Sequence, residues 1–325
     1  MKSGILLPYV LGLVVPLSFA RAQAEAPPAG LSSARWELVF QSGFEGDSRV
    51  VPSEHGSADH LVGRDSSLPS KSDWVADLAP FARTPLSINY TGGTAEQRFA
   101  RVITEPGRPE NHVLQFWAKD AWTADESATK SRVQVDLYKI QGGLKEFYQS
   151  VRVFLHPDLA ALTSYPRRIS WLTIAEFWNN EWWVKTEPHG FRITLGIGKP
   201  GTNPQDLIFI LNAEDAGYKE VWRGHNSTTK VPIGRWFTLE CYFKEGNADH
   251  GRFLVSLIPE GEPRQVVFDI THFTHHTRDP HPDGLTGYNP MKMYTSKEVV
   301  RFLRDQNKAL QIYWDDFRLW RAITP

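Results

Sequence analysis

Polar side chains that can do chemistry recur along three predicted strands, at residues 131–138, 148–155 and 191–197. Because successive side chains of a strand point to opposite sides, each strand has one apolar face for a core and one polar face. The polar faces carry Arg132, Gln134, Asp136 and Tyr138, then Tyr148, Ser150 and Arg152, then Arg192 and Thr194. Arginine is suited to binding a carboxylate through two parallel hydrogen bonds, and tyrosine can transfer a proton. These residue types indicate a ligand groove, with an ordinary solvated sheet face as the alternative.

A second candidate region is the aromatic stretch at residues 171–183, which holds four of the twelve tryptophans. It begins with an almost continuous apolar run, which predicts a strand with covered faces. Glu176 interrupts that run, and a carboxylate there needs an ion pair, a hydrogen bond or a solvated groove. Regular alternation places Glu176 on the same side as Ile174. The residues of this stretch predicted to contact a ligand are Glu176, Trp178, Trp182 and Trp183.

A third candidate region is rich in histidine, with His272, His275, His276 and His281 falling within ten residues. Their spacing does not complete a familiar zinc motif. The segment from residue 274 to residue 294 is long for a connection, and long loops often line binding sites, so it is predicted to border the groove. The side chains predicted to contact a ligand here are His272, Tyr288, Lys292 and Tyr294.

Composition and targeting signals narrow the classes of function. With 36 basic and 37 acidic side chains, the chain has no overall charge for binding nucleic acid or an anionic membrane. The single cysteine, Cys241, excludes an intramolecular disulfide and lies in an apolar pattern that predicts burial. Residues 1–24 are predicted to be an export signal, since Lys2 precedes a short apolar run and a small-residue cleavage motif. No later stretch has the ~20 apolar residues that span a bilayer, so a secreted or periplasmic protein is expected.

The predicted elements are all-β. Short apolar or alternating segments, separated by turn residues, recur from residue 36 to residue 320. One short helix is predicted after Thr295, which with Glu298 has the form of a capping box. No linker divides the chain, so we expect a flexible lead-in at residues 25–35 and a single β-sandwich domain at residues 36–325.

Three short sequences resemble those of the concanavalin A-like jelly rolls. They are Phe-Gln-Ser-Gly-Phe-Glu-Gly at residues 40–46, Val-Pro-Ile-Gly-Arg-Trp-Phe-Thr-Leu-Glu at residues 231–240, and Ile-Tyr-Trp-Asp-Asp-Phe at residues 312–317. Within that fold the chain looks like secreted polysaccharide lyases related to heparin lyase and glucuronan lyase. The alginate-lyase strands R-x-E-x-R and Q-[IV]-H are absent, and their nearest matches lie at residues 132–136 and 173–176.

The resemblance implies cleavage of an acidic, uronate-containing polysaccharide by β-elimination, without a cofactor for catalysis. That chemistry needs one group to neutralise the substrate carboxylate and a base to remove the C5 proton. The candidates for neutralisation are Arg132, Gln134, Arg152 and Arg192, and the candidate bases are Tyr148 and His189, just before Arg192. Asp136 is predicted to contact the substrate from the same face as Gln134.

A structural calcium ion is a separate expectation from the same resemblance. Glu45 follows the first strand and Asp316 lies in the last, where related sandwiches bind calcium between paired terminal strands. Carboxylate oxygens are hard ligands that suit Ca²⁺. Two capped turns without a metal are the alternative.

Two other functions remain open from the sequence. A non-catalytic glycan-binding module would use the tryptophans to stack on sugar rings. A glycoside hydrolase would need Glu176 and a second carboxylate about 5 to 9 Å apart. An unsaturated uronate product would identify the lyase, binding without product the module, and release of reducing ends alone the hydrolase.

Overall fold

The computed structural model describes residues 26–28, 30–54, 58–125, 128–179 and 188–323. Within these ranges the first strands are β1 (Arg35–Ser42), β2 (Arg49–Pro52), β3 (Ala58–Val62), β4 (Leu86–Asn89), β5 (Arg98–Glu105), β6 (Arg108–Ala118), β7 (Thr123–Asp125), β8 (Ala128–Tyr138) and β9 (Glu146–Leu155). A 3₁₀-helix at Pro157–Ser164 follows. The remaining elements are β10 (Leu172–Trp178), β11 (Phe191–Gly198), β12 (Ile208–Asp215), β13 (Glu220–Asn226), β14 (Trp236–Lys244), β15 (Arg252–Pro259), β16 (Gln265–Thr271), β17 (Gly287–Asn289), β18 (Lys292–Ser296), α1 (Lys297–Arg304) and β19 (Leu310–Ile323).

The strands form two antiparallel sheets, which confirms the predicted all-β sandwich. The first sheet has the order β16-β15-β14-β9-β19-β6-β5, with β1 also paired to β19. The second sheet has the order β13-β12-β11-β10-β17-β8-β4-β3-β2. In the second sheet β18 pairs with both β10 and β8, and β7 pairs with β8.

One main hydrophobic core lies between the two sheets. Val133 of β8 and Ile193 of β11, from the second sheet, share it with Val151 and Val153 of β9, from the first. Alternate side chains of a strand face opposite ways. The polar faces of β8 and β11 therefore lie on one side of the sandwich, and the polar face of β9 lies on the other. We call the side formed by β8, β10, β11, β12, β13, β17 and β18 the outer face of the second sheet.

The two ends of the described fold are paired, as expected. Strand β1 runs antiparallel to β19, with Ser42 opposite Phe317. Behind this pair the ring of Trp74 packs against Phe40, at 4.5 Å between centroids, and parallel to Phe317. The lead-in also contacts the fold, because Leu31 packs on the aromatic cluster outside the first sheet.

The predicted helix is present as α1. It buries Val299, Val300 and Leu303, which form its apolar stripe. The capping box is not formed as predicted: Ser296 holds the N-cap position without a side-chain cap hydrogen bond. The hydroxyl of Thr295 instead donates to the carbonyl of Trp171, 2.9 Å away. No helix in the described ranges is long and apolar enough to cross a membrane.

Candidate functional site

A cluster of charged and amide side chains occupies the outer face of the second sheet. We call it the central cluster and define it as Arg132, Gln134 and Asp136 of β8, Glu176 of β10, Arg192 of β11, Asn289 of β17, and Lys292 and Tyr294 of β18. Strand register brings these residues together. Gln134 lies opposite Lys292, Arg132 opposite Tyr294, and Glu176 opposite Asn289.

Glu176 is the electrostatic centre of the cluster and is only 5% exposed. Arg192 Nη1 donates to its Oε1 at 2.9 Å, and Lys292 Nζ donates to its Oε2. Burial alone would raise the pKa of Glu176, but the two cations outweigh burial and hold it at about 2. Glu176 is therefore an anion at neutral pH, and ion pairs satisfy it within the strand.

Lys292 is a buried cation whose charged form is disfavoured by its surroundings. Its side chain is 4% exposed, and its ammonium also donates to Asn289 Oδ1 at 3.0 Å. Burial, which Glu176 only partly opposes, and the nearby Arg132 cation together bring the pKa of Lys292 down to about 8. The asymmetry has a simple cause, since Glu176 faces two cations whereas Lys292 shares its one close carboxylate with Arg192.

The amide side chains of Gln134 and Asn289 connect the residues of the cluster through hydrogen bonds. Asp136 Oδ1 accepts hydrogen bonds from Gln134 Nε2 at 2.6 Å and from Asn289 Nδ2. Asn289 Nδ2 also donates to the Val135 carbonyl at 2.9 Å, which fixes the amide so that its oxygen points to Lys292. Burial raises the pKa of Asp136, although its hydrogen-bond donors and Lys292 act in the opposite direction. The network therefore positions Lys292 through Asn289.

Tyr294 and Arg132 form the solvent side of the cluster. The Arg132 guanidinium lies over the Tyr294 ring at 4.6 Å from its centroid, and Lys292 Nζ lies 5.1 Å from the same centroid. Trp171 packs against Tyr294 with 4.8 Å between ring centroids. Arg132 Nη1 donates to the Thr91 hydroxyl at 3.0 Å. A ligand approaching from solvent would thus meet an arginine and a tyrosine directly above Lys292.

An irregularity in β10 determines which side chains reach this face. The pairing of β10 with β11 shifts register between Thr173 and Ala175. As a result both Ile174 and Ala175 belong to the core, while Glu176 faces outward. The prediction that Glu176 and Ile174 share one side is therefore wrong, because it assumed unbroken alternation.

Tyr148 and Arg152 do not join the central cluster, because β9 lies in the first sheet. Arg152 Nη1 donates to Asp315 Oδ2 at 2.9 Å and to Glu105 Oε2 at 3.4 Å. Tyr148 is 1% exposed and donates to Glu240 Oε1 at 2.6 Å. The expected groove shared by β8, β9 and β11 is therefore wrong, because only the polar faces of β8 and β11 lie on the same side of the sandwich.

Of the loop and histidine residues predicted to contact a ligand, Lys292 and Tyr294 belong to the central cluster and the others do not. Tyr288, predicted to contact a ligand, is instead fully buried in the core and stacks on Phe177 with 5.5 Å between centroids. His272 lies beyond the end of β16 in the first sheet, where its backbone N–H donates to Gly251. His189 packs against His276, with 5.3 Å between ring centroids, and is not part of the central cluster. Trp178 borders the cluster through Tyr138, whereas Trp182 and Trp183 lie outside the described residues.

Comparison with known proteins gives a likeness to solved structures of polysaccharide-active enzymes. An alginate lyase from Aplysia kurodai has 12% identity and a TM-score of 0.49, with 89% of this chain and 100% of that chain covered. An endo-β-1,4-glucuronan lyase from Trichoderma reesei has 11% identity and a TM-score of 0.42, with 70% and 88% covered. A non-specific endo-β-1,3(4)-glucanase of family GH16 has 14% identity and a TM-score of 0.45, with 91% and 95% covered.

The likeness is one of fold. These solved structures are concanavalin A-like jelly rolls, the class of protein that the sequence also resembles. No family model matches the chain, and no curated protein matches it. At such low identities the substrates of these enzymes do not carry over.

Several polar residues of the outer face escaped the sequence analysis. Asn212 and Glu214 of β12 belong there, because Arg192 Nε donates to Glu214 Oε1 at 2.7 Å and Asn212 Nδ2 donates to Glu214 Oε2 at 3.2 Å. Their alternation with Leu211 and Ala213 was a usable signal. Asn289 gave none, because it lies between the buried Tyr288 and a proline.

Glu45, one of the two expected calcium ligands, is bound by a histidine. Both carboxylate oxygens of Glu45 are engaged by His112, through the backbone N–H at 2.9 Å and the ring Nδ1 at 2.7 Å. No group of three or more histidine, cysteine, aspartate or glutamate side chains suited to a metal occurs in the described residues. Calcium binding at Glu45 and Asp316 stays a prediction. If it occurs, chelation will lower the melting temperature and added Ca²⁺ will restore it; an unchanged midpoint would exclude the ion.

Acid is expected to remove the stability that Glu176 contributes. The folded-state pKa of about 2 lies below the ordinary value of 4.5, so the contribution is present above that value and is lost as the pH falls toward 2. Urea unfolding of the wild type and of Glu176→Gln, at steps between about pH 5 and pH 2, measures this. The difference in free energy of unfolding should narrow over that window. A constant difference would show that Glu176 is not held as an anion by its partners.

Proposed function

We propose that the protein cleaves a uronate-containing polysaccharide by β-elimination at the central cluster. The observation that carries this proposal is the position of Lys292, a buried ammonium with a pKa of about 8, directly beneath the solvent-facing Arg132 and Tyr294. A base works best when its pKa lies near the operating pH. The cluster therefore supplies a proton acceptor and a carboxylate-binding cation side by side.

Each residue has a defined part in the reaction. Arg132 binds the substrate carboxylate and neutralises it, which makes the neighbouring C5 proton more acidic. Neutral Lys292 takes that proton, the electron pair forms the C4–C5 double bond, and the C4–O bond breaks. The Tyr294 hydroxyl donates a proton to the departing oxygen and regains one from solvent. Gln134, Asp136 and Asn289 position Lys292, and Arg192 keeps Glu176 ionised. This assignment replaces Tyr148 and His189 as the proposed bases and Arg152 as a carboxylate-binding residue.

Hydrolysis is a weaker proposal for the same face. A glycosidase needs a carboxyl group that is protonated at the working pH so that it can act as an acid. Glu176 has a pKa of about 2, and both it and Glu214 are bound by Arg192. The carboxylates here support cations and are not arranged as an acid and base pair.

The proposal is tested by ultraviolet absorbance of the unsaturated uronate product on polyglucuronate, polymannuronate and polygalacturonate. We expect product from at least one of them, with kcat/KM rising as the pH approaches about 8, because Lys292 must lose its proton. Binding without product would instead identify a glycan-binding module. New reducing ends without absorbance would identify a hydrolase. Export by residues 1–24 stays a prediction and would place the activity outside the cytoplasm.

A further inference from the structure

A second depression lies on the outer face of the second sheet, apart from the central cluster. It is a shallow pocket of roughly 220 Å³, including the part open to solvent. Its lining includes Arg168, Ser170, Gly198, Lys199, Ile210 and His225. None of these residues belongs to the central cluster.

Strand register connects the two sites. Tyr294 of β18 lies opposite Thr173 of β10, Thr173 opposite Gly196 of β11, and Gly196 opposite Ile210 of β12. Ile210 in turn lies opposite His225 of β13. The row crosses four strand spacings of about 4.8 Å each to reach His225, so the far side of the pocket lies roughly 19 Å from Tyr294 across the sheet. Both sites are therefore reached by one row of the same face.

Glycines lie on the outer face between the two sites, and an arginine lies at the pocket. Gly196 lies in the row and Gly198 beside it, and neither carries a side chain. A Cβ at Gly196 would lie 2.8 Å from the Leu172 carbonyl oxygen, and one at Gly198 would lie 2.9 Å from the Ile169 carbonyl oxygen. Arg168 and His225 are exposed. Within the described part of the chain, no hydrogen bond or ion pair engages the Arg168 guanidinium. An arginine free to form two parallel hydrogen bonds is a ready carboxylate site.

The floor of the pocket is held in place by hydrogen bonds of Lys199. Lys199 is fully buried, and its ammonium donates to the carbonyls of Gly201 at 2.6 Å and Asn203 at 2.9 Å, which closes the loop after β11. Ile210 adds an apolar surface beside Arg168. An apolar floor with a cation at its edge suits a sugar ring that carries a carboxylate.

We infer that this distal pocket binds a second uronate unit of the same polymer, so that recognition extends across β18, β10, β11, β12 and β13. The inference rests on the proposed function and adds a length requirement to it. Chains too short to reach from Tyr294 to the pocket would occupy the central cluster alone.

Calorimetric binding of oligoglucuronates and oligomannuronates with two to six units tests the inference, with neutral cello-oligosaccharides of the same lengths as a comparison. Wild-type affinity for the acidic series should rise steeply once the chain is long enough to span about 19 Å. Arg168→Ala should remove most of that rise, roughly tenfold or more in Kd, and leave the shortest ligands unaffected. Arg101→Ala, an exposed arginine on β5 of the first sheet, should change neither.

The outcomes separate the inference from the proposed function. If the acidic oligomers bind and Arg168→Ala binds every length as the wild type does, the distal pocket is excluded while the proposed function stands. An equal loss at all lengths would also overturn the inference, because it would show a general effect of the substitution. If no acidic oligomer binds the wild type, both fail together.

Discussion

Replacing Lys292 with methionine is expected to lower kcat for elimination by a factor of about 10² to 10⁴, the usual contribution of a positioned acid or base. The substitution keeps the length and apolar stem of the side chain and removes the proton acceptor. Arginine at this position should be equally inactive, because its guanidinium does not lose a proton near neutral pH. Product absorbance on the best polyuronate measures the effect.

Stability must be controlled in this experiment, because Lys292→Met leaves Glu176 with one cation instead of two. Removing one partner of a buried ion pair can cost about 3–5 kcal/mol of folding free energy. The matched variant is Lys292→Met with Glu176→Gln, which removes both charges of the pair. We expect this double variant to recover much of the melting temperature and none of the activity. Recovery of activity along with stability would show that Lys292 is structural.

Replacing Arg152 with methionine is expected to destabilise the fold by about 3–5 kcal/mol and to leave turnover per folded molecule unchanged. Arg152 projects from the outer face of the first sheet, where it contacts Asp315 and Glu105. Both carboxylates are nearly inaccessible to solvent. Asn111 bridges the same two carboxylates, at 2.7 Å from Glu105 and 3.0 Å from Asp315. Without the guanidinium, two buried anions face each other. Urea unfolding measures the loss.

The control for Arg152 is Arg101→Met, an exposed arginine in the same sheet, which should change the free energy of unfolding by less than about 0.5 kcal/mol. Activity is assayed well below the melting temperature of each variant. If Arg152→Met lost turnover in excess of its unfolded fraction, Arg152 would belong to the substrate site, as the sequence first suggested.

For β8, β9 and β11, the sequence correctly predicted which side chains face the core, but it did not predict which strands belong to the same sheet. Alternation in residues 131–138 and 191–197 correctly separated Gln134 and Arg192 from the core. The same logic separated Arg152 from the core, but it could not assign β9 to the other sheet. That assignment depends on pairing with β14 and β19, far along the chain, and local periodicity carries no information about such partners.

Short strands were the second source of error. In β17 and β18 the outward residues are Asn289 and Lys292, which are three apart, so regular alternation cannot place both on one face. Tyr288 was misassigned because residues 274–294 were predicted to form a loop, whereas Tyr288 lies in β17 and belongs to the core. The position of Tyr288 in the core depends on the pairing of β17 with β10 and β8, which the local sequence does not indicate.

The departure from regular pairing in β10 has a counterpart in the strand beside it. β10 carries one extra residue near Ile174, and its neighbour is interrupted between Asn289 and Lys292. Each defect changes the phase of its own strand, and together they bring an anion, an amide and a cation to one spot. A variant in which either strand was made regular would keep the sandwich and lose this convergence. A single insertion or deletion in either segment should therefore separate Glu176, Asn289 and Lys292, whereas a compensating pair of changes should keep them together.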